Sequence, residues 1–157
     1  MNKKILLVIL SAVFTLTFCI TAFASPERRQ FREEKQAINA QIQAVNEEIK
    51  AVKAQNKVIS EKFKAIRQAK KETGVLSIDK ENFQKAVQLR KEITAIEVAP
   101  AADVKAERAR SKELISNEDY EAAKDALCNV LEIRKAQLEA QKKRNAIWLQ
   151  IDALLNF

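Results

Sequence analysis

From Ile38 onward the apolar positions of the N-terminal part advance in alternating steps of four and three. They are Ile38, Ile42, Val45, Ile49, Val52, Ile59, Phe63 and Ile66, with Asn56 filling one step. That rhythm is a heptad seam sustained for about four repeats. Phe31, Ile38, Val45, Val52, Ile59 and Ile66 occupy d positions, and Lys35, Ile42, Ile49, Asn56 and Phe63 occupy a positions. The pattern predicts one long helix from about Glu27 to Lys71, with coiled-coil character. Asn56 has two readings, a polar core residue that fixes register or a residue at an open end of a bundle. Glu48 at g and Lys53 at the following e are spaced for an interhelical charge pair.

Arg67, Lys70 and Lys71 followed by Thr73-Gly74 form a helix C-terminus, with cations at the negative dipole end and then a residue tolerant of left-handed φ. Asp79 is the expected N-cap of a second helix, Lys80 to about Glu97, with Phe83, Val87, Leu89, Ile93 and Ile96 facing the core. Pro100 breaks the pattern. Asp103 is the expected cap of a short third helix reaching about Ile115. Ser116 or Asn117 is expected to cap a fourth, from Glu118 to about Leu155. Two adjacent apolar rows run along that helix, one through Ala123, Ala126, Val130 and Ile151, the other through Tyr120, Leu127, Leu131 and Trp148. So wide a stripe suits a helix that touches two neighbours. The polar run Gln137 to Arg144 interrupts it, so less cover is expected there.

These lengths predict an all-α fold, an elongated antiparallel bundle of long helix, broken helix pair and long helix. Composition supports this. One glycine and two prolines in the whole chain leave too few turn residues for a β-rich fold.

The first 24 residues have another logic. Lys3 and Lys4 precede an apolar run, and Ala22-Phe23-Ala24 has the small residues of a cleavage signal, with Ser25 as the expected new N-terminus. Residues 1–24 are thus expected to be a signal peptide, and 25–157 a single helical-bundle domain. The alternative is an uncleaved anchor, since roughly 20 apolar residues can span a bilayer. Membrane contact is expected only in that case. Export places the protein in the periplasm or outside the cell. After cleavage one cysteine remains, Cys128, either a small buried residue or the site of an intermolecular disulfide.

The chain has no histidine. That removes the commonest general base, the Ser-His and Cys-His pairs and ordinary zinc or copper sites. One glycine cannot build a phosphate-cradling loop. No catalytic residue, metal or cofactor is expected, and the protein is read as a non-enzyme. Glu121 and Asp125 lie a turn apart near the start of the fourth helix, where acids suit the positive dipole end.

Cleavage would remove two lysines and no acids, leaving a net charge of +5. Pro26 to Thr73 holds twelve Lys or Arg against seven Asp or Glu, so the first helix carries the whole excess. Two readings follow, a solvated face or a surface for an anionic partner. Export disfavours nucleic acid.

The stretch Ile115-Ser116-Asn117-Glu118-Asp119-Tyr120, then Arg134-Lys135-Ala136 and Asn145-Ala146-Ile147-Trp148, resembles the Spy/CpxP type of periplasmic helical stress proteins. The resemblance covers about half of the chain. The L-T-x-x-Q motif of that family is missing, with Leu76-Ser77-Ile78-Asp79 where the first copy would stand. The long first helix has no counterpart there. The resemblance implies a dimeric, ATP-independent chaperone or envelope-stress protein and transfers no site residue. The residues themselves point first to a non-enzymatic interaction or scaffold protein of the cell envelope. Its expected partner is a protein or an anionic envelope polymer, with self-association into a homodimer compatible with the seam.

Overall fold

A computed structural model describes residues 25–76 and 78–156 of the protein. It is an all-α bundle of α1 (Pro26–Thr73), α2 (Lys80–Ala95), α3 (Ala101–Ser116) and α4 (Tyr120–Leu155). Among the described residues there is no strand. Local chemistry sets most of the ends. The Ser25 hydroxyl accepts from the Arg28 N–H at 3.2 Å, and Pro26 sits in the first turn, where its missing N–H costs nothing. Gly74 closes α1 at φ 71°, its N–H bonded to the Lys70 carbonyl at 3.0 Å. Asp79 caps α2 by accepting from the N–H groups of Glu81 and Asn82, at 2.8 and 3.0 Å.

Two caps lie elsewhere than the sequence suggests. Pro100, not Asp103, occupies the N-cap of α3, and Asp103 falls in its first turn. Asp119, not Ser116 or Asn117, caps α4, accepting from the Ala122 N–H at 3.1 Å. The reason lies at the end of α3. The Asp119 N–H bonds the Leu114 carbonyl and the Glu118 N–H bonds the Ile115 carbonyl. That is a Schellman closure, and it spends Ser116 and Asn117 on finishing α3. Glu118 takes the left-handed position at φ 61° that glycine usually fills.

Helix α4 is the spine. It packs against α1, α2 and α3, whereas no Cα of α1 comes within 8 Å of α2 or α3. Helices α1 and α4 run parallel and in register. Glu34 pairs with Lys124, Asn56 with Asn145 and Lys62 with Asp152, a nearly constant separation in sequence. The broken pair α2–α3 returns in the opposite direction, so the order is long helix, broken helix, long helix.

Two apolar cores result. One joins Phe31, Ile38 and Ile42 to Val104 and to Ala123, Leu127, Val130 and Leu131. The other joins Ile59 and Phe63 to Phe83, Ala86 and Ile93 and to Trp148, Ile151 and Leu155. Ile42, Val130 and Ile151 are fully buried, and burying such a side chain stabilises by about 1.5–3 kcal/mol. Small residues set the close contacts. Ala86 and Ala123 are wholly buried, and the Ser111 hydroxyl donates to the Ala123 carbonyl at 3.2 Å where α3 meets α4.

Between the cores lies a polar waist. The stretch Gln137 to Arg144, expected to be poorly covered, is covered: Gln137 and Gln141 are both buried. The link between α2 and α3 lies over it. Gln137 Nε2 donates to the Ala99 carbonyl at 2.7 Å, and Arg144 Nη2 to the Ile96 carbonyl at 2.6 Å. These bonds satisfy carbonyls of the link, which has no helix to pair them. Arg134 Nη1 in turn donates to Gln137 Oε1 at 2.8 Å. The Nε atoms of Arg134 and Arg144 are buried without a partner among the described residues, a local cost of roughly 1–3 kcal/mol each.

Candidate functional site

Because α1 and α2 both pack on α4 and meet each other through side chains with no Cα pair within 8 Å, a groove opens between them at the end of the bundle where α1 stops. Its walls are cationic. Lys64, Arg67, Lys70 and Lys71 come from α1, and Arg90 and Lys91 from α2. Glu72 is the one acid in its lining. The floor is apolar, made by Phe63, Phe83 and Val87.

The rings beneath belong to one cluster. Phe63 stacks on Phe83 with centroids 6.1 Å apart and meets Trp148 edge-on at 6.5 Å. Each ring has a cation over it. Lys70 Nζ lies 4.6 Å from the Phe83 centroid, the Arg67 guanidinium 6.0 Å from Phe63 and the Arg90 guanidinium 5.4 Å from Trp148. Such contacts contribute about 0.5–1 kcal/mol at exposed sites and hold the cation without neutralising it. Lys64 pairs with Glu61 along its own helix at 3.2 Å. No carboxylate among the described residues pairs with Arg67, Lys70, Lys71, Arg90 or Lys91. Part of this charge suits the helix dipole, since Lys70 and Lys71 sit in the last turn of α1. Arg90 and Lys91 have no such role, lying in α2 short of its end at Ala95.

At the other end of the bundle one recess has the opposite sign. A depression there is lined by Glu27, Glu34, Glu118, Asp119 and Glu121 around Phe31 and Tyr120, whose rings lie 5.2 Å apart. Most of those acids are engaged. Lys124 reaches both Glu34 and Glu121, and its pKa is raised above the ordinary 10.5, chiefly by the hydrogen bond to Glu121. Asp119 is spent as the cap of α4. Among the described residues no three His, Cys, Asp or Glu side chains are grouped to hold a metal ion.

The seam residues of α1 divide between wall and core. Ile38, Ile42, Ile49, Asn56, Ile59 and Phe63 are buried, while Val45, Val52 and Ile66 are half-buried. Asn56 lies inside the bundle, between the two cores and away from any open end, bonded to Asn145 at 2.9 Å. Glu48 faces Lys142 of α4 at 3.6 Å. Cys128 is a half-buried free thiol against the first core. Ala22 and Ala24 lie outside the described residues, and Ser25 is the N-cap of α1. Among the described residues no helix is long and apolar enough to cross a membrane.

The sequence pointed to the charge of α1 but not to the groove. Lys50, Lys57, Lys64 and Lys71 recur every seven residues, which puts them on one strip of the helix. That strip leads to the α1 wall. Nothing along α2 signalled that Arg90 and Lys91 stand opposite it. Comparison with protein-family models, with curated proteins and with solved structures finds no match.

Proposed function

We propose that this chain is a non-enzymatic interaction protein, exported after loss of residues 1–24, whose groove between α1 and α2 binds an anionic partner. One observation carries the reading. Five cations with no ion-pair partner among the described residues line a recess over an apolar floor, with Glu72 the one acid in its lining. Unpaired charge of one sign in a concave site raises the local concentration of the opposite charge. The groove offers cations and hydrocarbon surface, a chemistry of holding.

The test is direct binding of poly-glutamate and of inorganic polyphosphate by the mature protein, followed by titration calorimetry at low and high salt. Binding is expected at low ionic strength and is expected to weaken steeply as salt rises. Combined Arg67→Glu and Lys91→Glu should abolish it. The same reversals at Arg28 and Arg32, on the exposed N-terminal stretch of α1, should change it little. Equal loss from both pairs would show that net charge acts, not the groove. The mass of the form recovered outside the cytoplasm tests export, with a start at Ser25 expected.

A holding chaperone of the Spy/CpxP kind is the second reading. It draws on a shallow trough between α2 and α4 in which Leu89, Ala153 and Leu154 are accessible, and on exposed Leu149 nearby on α4. Suppression of light scattering by an aggregating client at several-fold molar excess would favour it over the groove.

A further inference from the structure

We infer that the groove's occupant is an acidic polypeptide segment with apolar side chains set between its carboxylates. This rests on the anion-binding reading above and narrows it. The walls and the floor ask for different things. Arg67 and Lys71 stand one turn apart on α1, roughly 5–6 Å between Cβ atoms. Arg90 and Lys91 of α2 share with Arg67 the part of the groove nearer Phe63, and Lys71 lines the part nearer Phe83. Carboxylates one helical turn apart match that spacing. Between the walls Val87 is half-buried and lines the groove along its length, with the Phe83 ring below it. That surface is covered only by a ligand with its own hydrocarbon groups.

Polyphosphate and acidic polysaccharides bring charge without such groups. A bilayer brings both, but as a flat sheet whose headgroups meet the tips of the cations and leave the recess unfilled. The wall from Phe63 to Glu72 is about 14 Å long at helical rise, which takes roughly ten residues of a helical segment. Cations held over rings keep their positions in the empty groove, so less ordering is lost when carboxylates arrive.

The experiment compares four probes on the whole mature protein. They are a helical peptide of about twelve residues with leucines every third or fourth position among glutamates, poly-glutamate of equal charge, polyphosphate, and phosphatidylglycerol vesicles. The leucine-bearing peptide is expected to bind about tenfold tighter than poly-glutamate. Val87→Ser should erase that advantage and leave poly-glutamate binding unchanged, with thermal melts confirming that the variant folds. Arg67→Glu with Lys91→Glu should weaken both peptides. If polyphosphate, poly-glutamate or the vesicles bind as tightly as the leucine-bearing peptide, the acidic-segment inference is overturned while the anion-binding reading stands. If none of the four binds at low salt, the anion-binding reading falls as well.

Discussion

The side-chain amides of Asn56 and Asn145 meet between the two apolar cores, Asn145 Nδ2 donating to Asn56 Oδ1 at 2.9 Å. Asn56 is 8% exposed, so its amide depends on that partner and on the neighbouring helix for company. A buried amide that must find its mate fixes the axial alignment of two parallel helices at a cost in stability. Asn56→Ala should therefore lower stability by about 1–2 kcal/mol, read from denaturant melts. Replacing both partners, Asn56→Ile with Asn145→Leu, should recover that loss. It should also broaden the backbone NMR spectrum, because the amide pair no longer selects one alignment.

The waist makes a second prediction. Gln137 and Arg144 reach across to the carbonyls of Ala99 and Ile96, in the link between the end of α2 at Ala95 and the start of α3 at Ala101. Gln137→Leu keeps the size and removes the donor. Its expected cost is about 1–3 kcal/mol, the desolvation of an unpaired carbonyl. Limited proteolysis should locate the new cuts between Ile96 and Ala101 and nowhere else in the described chain.

Glu118 holds a left-handed backbone at φ 61° to close α3 before α4 begins. An L-residue pays roughly 1–2 kcal/mol there, a penalty glycine lacks. Glycine also loses more freedom on folding, by about 0.5–1 kcal/mol. Glu118→Gly should thus stabilise by about 0.5 kcal/mol, a rise of one to two degrees in Tm by scanning calorimetry. Gly74→Ala at φ 71° should move stability the other way by about 1 kcal/mol, although no atom lies within 4 Å of the added methyl.

Ser111 and Ala123 let α3 approach α4, with the Ser111 hydroxyl bonded to the Ala123 carbonyl. Ala123 is wholly buried in the first core. Ala123→Leu should force the helices apart and cost about 1–3 kcal/mol or more. The same change at exposed Ala136 of α4 should cost little, and paired melts separate the two.

Alkaline pH gives a further test. Lys124, hydrogen-bonded to Glu121 and near Glu34, has its pKa raised above 10.5, first by that hydrogen bond. A lysine stabilised in its charged form adds stability that is whole below 10.5 and is lost as pH rises through the higher folded value. Thermal melts should be insensitive to this group between neutral pH and about 10 and should fall beyond it. Lys124→Gln should flatten that fall. Lys85, held by Glu81, titrates in the same direction and should leave a residual slope.

Much of the fold could be read from residue spacing, because helix propensity and burial agree along most of this chain. The heptad seam, the Gly74 stop and the Asp79 cap depend on neighbours within a turn or two. The cap of α4 did not follow, since the usual signal for a Schellman closure is glycine and here a glutamate fills the place. Burial of Gln137 and Gln141 did not follow either. Two glutamines in an apolar stripe look like an opening until the carbonyls of a broken helix are laid across them. The groove was least legible. It arises from a gap between α1 and α2, and a gap leaves no mark on the periodicity of either helix.

The arrangement of the helices around α4 has a consequence for how the chain comes into being. Synthesis proceeds from the N-terminus, so the helix on which the other three pack is made after all of them. Until it appears, α1 and α2 touch through side chains, Phe63 on Phe83 and Lys70 over Phe83, with no Cα pair within 8 Å. A nascent chain halted before Tyr120 displays two uncovered ridges and no bundle, a form open to proteases and to aggregation. Closure of the bundle thus waits for the 36 residues of α4, and truncation before Tyr120 should erase the whole structure at once.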